Sequence, residues 1–205
     1  MTSRSLAAAA LLVLGAASAQ AQAPTFRVLG GLTSSKVTVD GEGISITLDS
    51  RTGFAAGLSA RFPLSAMLGL EIDGMYAQKG FKISDGEDSA ELKLGYLEIP
   101  VLLNYELGGS STRPFLLGGA TASIKAGCDV VATSGGVSAS ADCEEITDGE
   151  QNALDLGLTV GGGVAFNRFS VQARYTVGMS EIFDDNDDSV TSKNRALFLL
   201  AGFSF

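Results

Sequence analysis

The sequence predicts an all-β chain, an eight-stranded antiparallel up-and-down transmembrane β-barrel, and three observations carry that reading. Apolar residues recur at period two in successive segments, short and long connectors alternate between those segments, and the N-terminal residues have the make-up of an export signal. The clearest segment is the last. In Asn194–Phe205, residues Leu197, Leu199, Ala201, Phe203 and Phe205 share one face, and the sequence runs out on an aromatic residue. A strand with one wholly apolar face is buried under a second sheet or turned outward into lipid. The second option makes this the closing strand, with Phe203 and Phe205 as its insertion signal.

Export decides between the options. Arg4 supplies a positive end, Leu6 to Ala17 is a short apolar run, and cleavage motifs follow at Ala17-Ser-Ala19 and Ala19-Gln-Ala21. A dozen apolar residues fall short of the roughly 20 that a membrane helix needs. Residues 1–21 are therefore expected to be a cleaved signal peptide and 22–205 one barrel domain. No cysteine lies near the cleavage region, which excludes a lipoprotein. Without Arg4 the chain has 13 basic and 23 acidic residues, a net charge of −10, the wrong sign for nucleic-acid binding. No later stretch approaches the roughly 18 apolar residues of a membrane helix, so any crossing must use strands.

Eight segments have strand character: 26–36, 51–62, 68–82, 91–107, 114–126, 153–166, 169–181 and 194–205. Each meets the roughly 9–11 residues that a tilted membrane strand needs. Leu154, Leu156, Leu158, Val160, Gly162, Val164 and Phe166 share a face opposite Asp155, Thr159 and four small residues, Gly157, Gly161, Gly163 and Ala165. Phe169, Val171, Ala173, Tyr175, Val177 and Met179 oppose Ser170, Gln172, Arg174 and Thr176 in the same way. This is the apolar-out, polar-in pattern of a membrane barrel. The connectors 63–67, 108–113 and 167–168 are short, whereas 37–50, 83–90, 127–152 and 182–193 are longer and acidic or Ser/Thr/Gly-rich. Short turns on one side and long loops on the other give both termini a periplasmic position.

The mature chain holds 25 glycines, many of them inside strands, as in Gly161-Gly-Gly163. A small barrel needs such residues for coiling and close approach. One segment conflicts with the pattern: Leu92 and Leu94 are out of phase with Leu97, Ile99, Val101 and Leu103. A bulge near Gly95, or a segment standing above the membrane, is expected to account for it. Pro100, with no amide donor, is awkward in a paired strand.

The stretch Tyr96-Leu-Glu-Ile-Pro-Val-Leu-Leu-Asn-Tyr105, followed by Arg113-Pro-Phe-Leu-Leu-Gly-Gly119, resembles an outer-membrane β-barrel domain family of the porin-family or PorT-like type. Gly69-Leu-Glu-Ile-Asp-Gly-Met-Tyr-Ala-Gln-Lys-Gly80 looks like that family's second hairpin. The resemblance covers essentially the whole mature chain. It implies the fold and a bacterial outer-membrane location, and it carries no catalytic motif.

Inward positions hold Arg27, Arg61, Glu71, Asp73, Lys79, Glu98, Asn104, Glu106, Gln172 and Arg174. An eight-stranded barrel is just wide enough for side chains to fill, and opposite charges buried there must pair. Arg61 and Glu71 flank one short turn and are predicted to interact. The expected role is a structural or loop-mediated interaction barrel with a filled lumen and no catalysis; the alternative is a narrow channel for small solutes. A soluble lipocalin-like barrel would need the reverse polarity. The chain has no histidine to serve as a base, and no cofactor is expected.

Cys128 and Cys143 are the only cysteines, and in an exported chain they are expected to form a disulfide. Closing a loop of about 15 residues is worth about 3 kcal/mol in the chain-entropy account. Asp184, Asn186 and Asp188 match the start of an EF-hand loop, but Ser189 replaces its glycine and Arg195 its closing glutamate, so that metal motif fails. A looser cation site stands against the plainer reading of a solvated acidic loop tip. Expected partners are outer-membrane lipid, lipopolysaccharide and the barrel-assembly machinery. A closed barrel has no free edge and is expected to be a monomer.

Overall fold

The structure, a computed structural model, describes residues 23–41, 44–47, 49–85, 88–108, 111–135, 137–142, 154–179 and 190–205. Residues 1–21, expected to be a signal peptide, Cys143 and the acidic triplet Asp184, Asn186 and Asp188 lie outside the described residues. Among the described residues ten strands follow in order: β1 (Thr25–Gly41), β2 (Ile44–Thr47), β3 (Asp49–Pro63), β4 (Leu68–Asp85), β5 (Asp88–Glu106), β6 (Thr112–Ser134), β7 (Val137–Asp142), β8 (Leu154–Phe166), β9 (Phe169–Gly178) and β10 (Val190–Ser204). Eight of them form an antiparallel ring, β1-β3-β4-β5-β6-β8-β9-β10, closed by β10 on β1 from Arg27↔Ser204 to Gly41↔Val190. The last strand thus closes the barrel as its alternation suggested. Two short strands stand off the ring, β2 paired with β1 and β7 with β6.

Period-two alternation sorts the side chains of this wall. Leu32, Leu58, Leu97, Leu116, Leu158, Val171 and Leu199 are exposed on the outside, while Arg27, Glu71, Asp73, Glu98, Thr159, Gln172 and Arg174 are buried inside. A protein surrounded by water would not expose so continuous an apolar belt; lipid removes the conflict. Aromatic residues rim the belt at the turn end, where Phe26, Phe62, Tyr105, Phe166, Phe169, Phe203 and Phe205 are all exposed. Phe205 stacks on Phe26 with ring centres 6.5 Å apart, and Phe203 meets Phe169 edge-on at 5.2 Å. Such a girdle is the usual interface anchor of a membrane barrel.

Glycine is required where strands and side chains crowd the lumen. A Cβ on Gly119 would lie 2.1 Å from the Val101 carbonyl oxygen, and one on Gly163 would meet the Phe115 ring at 2.7 Å. The Phe166–Phe169 hairpin turns through Asn167, whose φ of 53° is in the left-handed region that asparagine tolerates.

The turns fall where the sequence places them, but strand enters all four long connectors, the last through β10, which begins at Val190. Residues 37–41, 44–47 and 49–50 continue as strand, β4 and β5 run on to Asp85 and Asp88, and β6 extends to Ser134 before returning as β7. The alternation in these Ser, Thr and acidic stretches is brief, as in Val37 and Val39, Ile44 and Ile46, or Val137, Ala139 and Ala141, too short to mark a membrane strand by itself; pairing with the neighbouring strand forms them. The phase conflict in β5 coincides with a register shift at Gly95, as one of the two expected routes has it, but the bulge lies on the partner strand and does not restore the phase. The extra residue is Ala126 on β6, because Gly95 pairs with Gly127 and Tyr96 with Lys125. The parity of β5 is unbroken, and Leu92 and Leu94 turn inward to pack with Tyr96, Cys128 and Val130. Opposite Pro100 the β4–β5 ladder lapses between Ile72↔Val101 and Met75↔Glu98, which spares the missing donor a partner.

Candidate functional site

The lumen is crossed by a charged plug built from four strands. Glu71 on β4 is fully buried at its centre. Its Oε2 accepts hydrogen bonds from Arg27 Nη2 on β1 and from Asn104 Nδ2 on β5, the latter at 2.8 Å. Its Oε1 accepts from Arg174 Nη2 on β9 at 2.8 Å, and Arg174 Nη1 donates to Asp73 Oδ2 at 2.5 Å. Two guanidinium groups and two carboxylates therefore balance, all within a wall no more than 6% exposed. Ion pairs so removed from water are held by their mutual hydrogen bonds; loss of one partner leaves a buried uncompensated charge.

Other layers lie along the axis on either side. Lys79 pairs with Glu98, each 3% exposed, and its Nζ lies 5.0 Å from the centre of the Tyr96 ring. A cation over an aromatic face gains electrostatically where water is scarce. The hydroxyls of Thr121, Thr159 and Thr176 form a chain, at 2.6 and 2.8 Å, on the opposite wall. Between the plug and the Lys79 layer, Met75, Glu98, Thr159, Arg174, Phe198 and their neighbours leave a void of only about 10 Å³, room for one water at most. Farther up, Arg51 Nε meets Glu91 at 2.5 Å and its Nη1 donates to the Lys79 carbonyl at 3.3 Å.

Arg61 departs from expectation. It is the register partner of Glu71 across β3 and β4, yet its guanidinium turns to Glu106 at 3.1 Å. Glu71 is occupied from across the lumen by Arg27 and Arg174, and the half-buried Glu106 lies nearer the mouth where Arg61 resides. Sequence reasoning passed over Arg51 and Glu91. Arg51 keeps the odd-number parity of Arg61 along β3, a signal sufficient to have placed it inward. No free cysteine remains among the described residues, and Cys128 is buried against Leu94 and Tyr96. Among the described residues no group of three or more acidic, histidine or cysteine side chains is arranged to hold a metal.

Solved outer-membrane barrels share this architecture. OprG from Pseudomonas aeruginosa is 12% identical, with 90% of this chain and 97% of that one covered and a TM-score of 0.50. Ail, the attachment invasion locus protein of Yersinia pestis, is 20% identical over 90% of this chain and 100% of its own, with a TM-score of 0.46. Neisserial surface protein A is 17% identical over the same shares, also with a TM-score of 0.46. At such identities the likeness is one of fold alone. Among curated proteins none matches this sequence. The family model for the outer membrane protein beta-barrel domain matches residues 19–184, and the chain belongs to that family and resides in the outer membrane.

Proposed function

We propose that the protein is a non-conducting, non-catalytic barrel that anchors an extracellular surface, formed by its strand extensions, in the outer membrane. One observation carries the reading: Glu71 joins Arg27, Arg174 and Asn104 across the lumen, which favours an interior tied across over an open path. The absence of catalysis is supported by the lack of histidine and by the pairing of the inward carboxylates Glu71, Asp73, Glu98 and Glu106 with basic partners. A carboxylate so paired is a poor general base. The extensions of β1 to β3, β4 to β5 and β6 to β7 project beyond what a bilayer needs and supply the surface on which recognition residues tend to sit. Contact with lipopolysaccharide, insertion by the barrel-assembly machinery, a monomeric state, signal cleavage near Ala21 and a Cys128–Cys143 link belong to the same reading.

Planar-bilayer recording of the refolded protein tests it. The expected result is insertion without discrete conductance steps. Steady, defined conductance would overturn the reading in favour of a narrow solute channel, with Arg27, Lys79 and Glu98 as its selectivity determinants.

A further inference from the structure

Below the plug, at the turn end, the lumen opens into a polar cavity of about 80 Å³, room for a small oxoanion with a water or two. Arg27, Arg61 and Arg113 line it, against one carboxylate, Glu106. Glu106 is already held by Arg61, and the carboxylate behind Arg27, Glu71, is shared with Arg174. Arg113 has no ion pair among the described residues. Ser170, only 3% exposed, also lines the cavity, and its Oγ has no hydrogen-bond partner; the same holds for Nε of Arg27 and of Arg61. Three guanidinium groups and a buried hydroxyl thus converge with donors to spare.

We propose that this vestibule binds a small oxoanion, a phosphate or carboxylate group, from the periplasmic side. Guanidinium forks match the paired oxygens of either group, and hydrogen bonds between ionised partners are the strong ones. The plug forms the roof through Arg27 and Asn104, so the anion enters and leaves by one mouth and is not transported. The ligand is either a free anion or the headgroup of an anionic lipid in the inner leaflet.

The test is a titration of the refolded protein in phosphatidylcholine nanodiscs with inorganic phosphate, then acetate, at constant ionic strength made up with chloride. The side-chain Nε–H signals of Arg61 and Arg113 report the site by NMR. Saturable shifts are expected, with affinity about tenfold weaker in Arg113→Gln, the effect of losing one charge-assisted hydrogen bond, and unchanged in Lys93→Gln on the outer wall. If Arg113→Gln does not fold, Ser170→Ala serves in its place and should also weaken binding. Phosphatidylglycerol nanodiscs identify the source. Signals already displaced there without added anion assign the site to a headgroup; signals that move only on titration assign it to a free anion. Shifts that stay linear with both probes and are absent in phosphatidylglycerol, or an affinity that Arg113→Gln leaves intact, would overturn the proposal.

Discussion

The two halves of β5 have opposite polarity. From Leu97 to Tyr105 the outward residues are Leu97, Ile99, Val101, Leu103 and Tyr105, and the inward ones include the buried Glu98 and Asn104. From Glu91 to Tyr96 the inward residues are Leu92, Leu94 and Tyr96, which pack with Cys128 and Val130, while Lys93 and Asp129 are cross-strand partners on the outside. The strand has not slipped, since its parity is continuous through Gly95. What changes is the surrounding solvent. Against lipid the apolar side chains face outward and polar groups retreat to the lumen; above it, water takes the outer wall and the apolar side chains close inward. The nine residues from Leu97 to Tyr105 match the roughly 9–11 that a tilted strand needs to span the hydrocarbon. The crossover at Gly95 therefore marks the upper edge of the lipid belt.

Glu71 and Glu91 give the sharpest contrast between the regions. Glu71→Ala strands Arg27 in the dry part of the lumen and leaves Arg174 with Asp73 alone, and the expected loss is about 3–5 kcal/mol, as for other broken buried pairs. Glu91 is 28% exposed opposite Arg51, and its removal should cost less than about 1 kcal/mol. Reversible urea unfolding from lipid vesicles measures both; equal losses would erase the distinction between plug and extension. The outer wall offers a second contrast. Leu199→Arg places a charge in the lipid belt and should cost about 2–4 kcal/mol near the bilayer midplane. Asp129→Arg, on the upper wall, should change stability by no more than about 0.5 kcal/mol, the usual range for exposed sites. A comparable penalty at Asp129 would mean that the belt reaches higher than Gly95.

Alternation made the barrel legible because lipid enforces it: Leu154–Phe166, Phe169–Gly178 and the closing strand could be read from period two alone. The same rule assigned Glu71, Asp73, Glu98 and Arg174 to the lumen side. It could not assign their partners. Register makes Arg61 and Glu71 neighbours, but long side chains in a narrow lumen reach across it, and Glu71 is met by residues 44 and 103 positions away in sequence. Adjacency along the wall carries no information about the far side. The strand extensions were illegible for a different reason. Residues 137–142, Val-Ser-Ala-Ser-Ala-Asp, alternate only through Val137, Ala139 and Ala141, a face too small and too short beside the roughly 9–11 residues of a membrane strand, and hydrogen bonding to β6 defines them. Leu92 and Leu94 fall out of phase because the lipid-facing rule ends where the lipid ends, the second of the two routes that the alternation left open.

Leu94→Ala puts that last point to the smallest test. Leu94 is 6% exposed within a cluster of five side chains, so the truncation should cost about 2 kcal/mol, the low end for a buried leucine. The cost should be local. The extension is tied to the barrel by β5–β6 hydrogen bonds and shares no side-chain cluster with the plug, so it can open while the ring below stays closed. Amide exchange should therefore speed up at residues 91–96 and 127–131 while the midpoint of global unfolding stays where it is. A shift of the global midpoint with no local change would show that the upper cluster and the plug open as one unit, and the polarity crossover at Gly95 would then mark a change of solvent without a change of cooperativity.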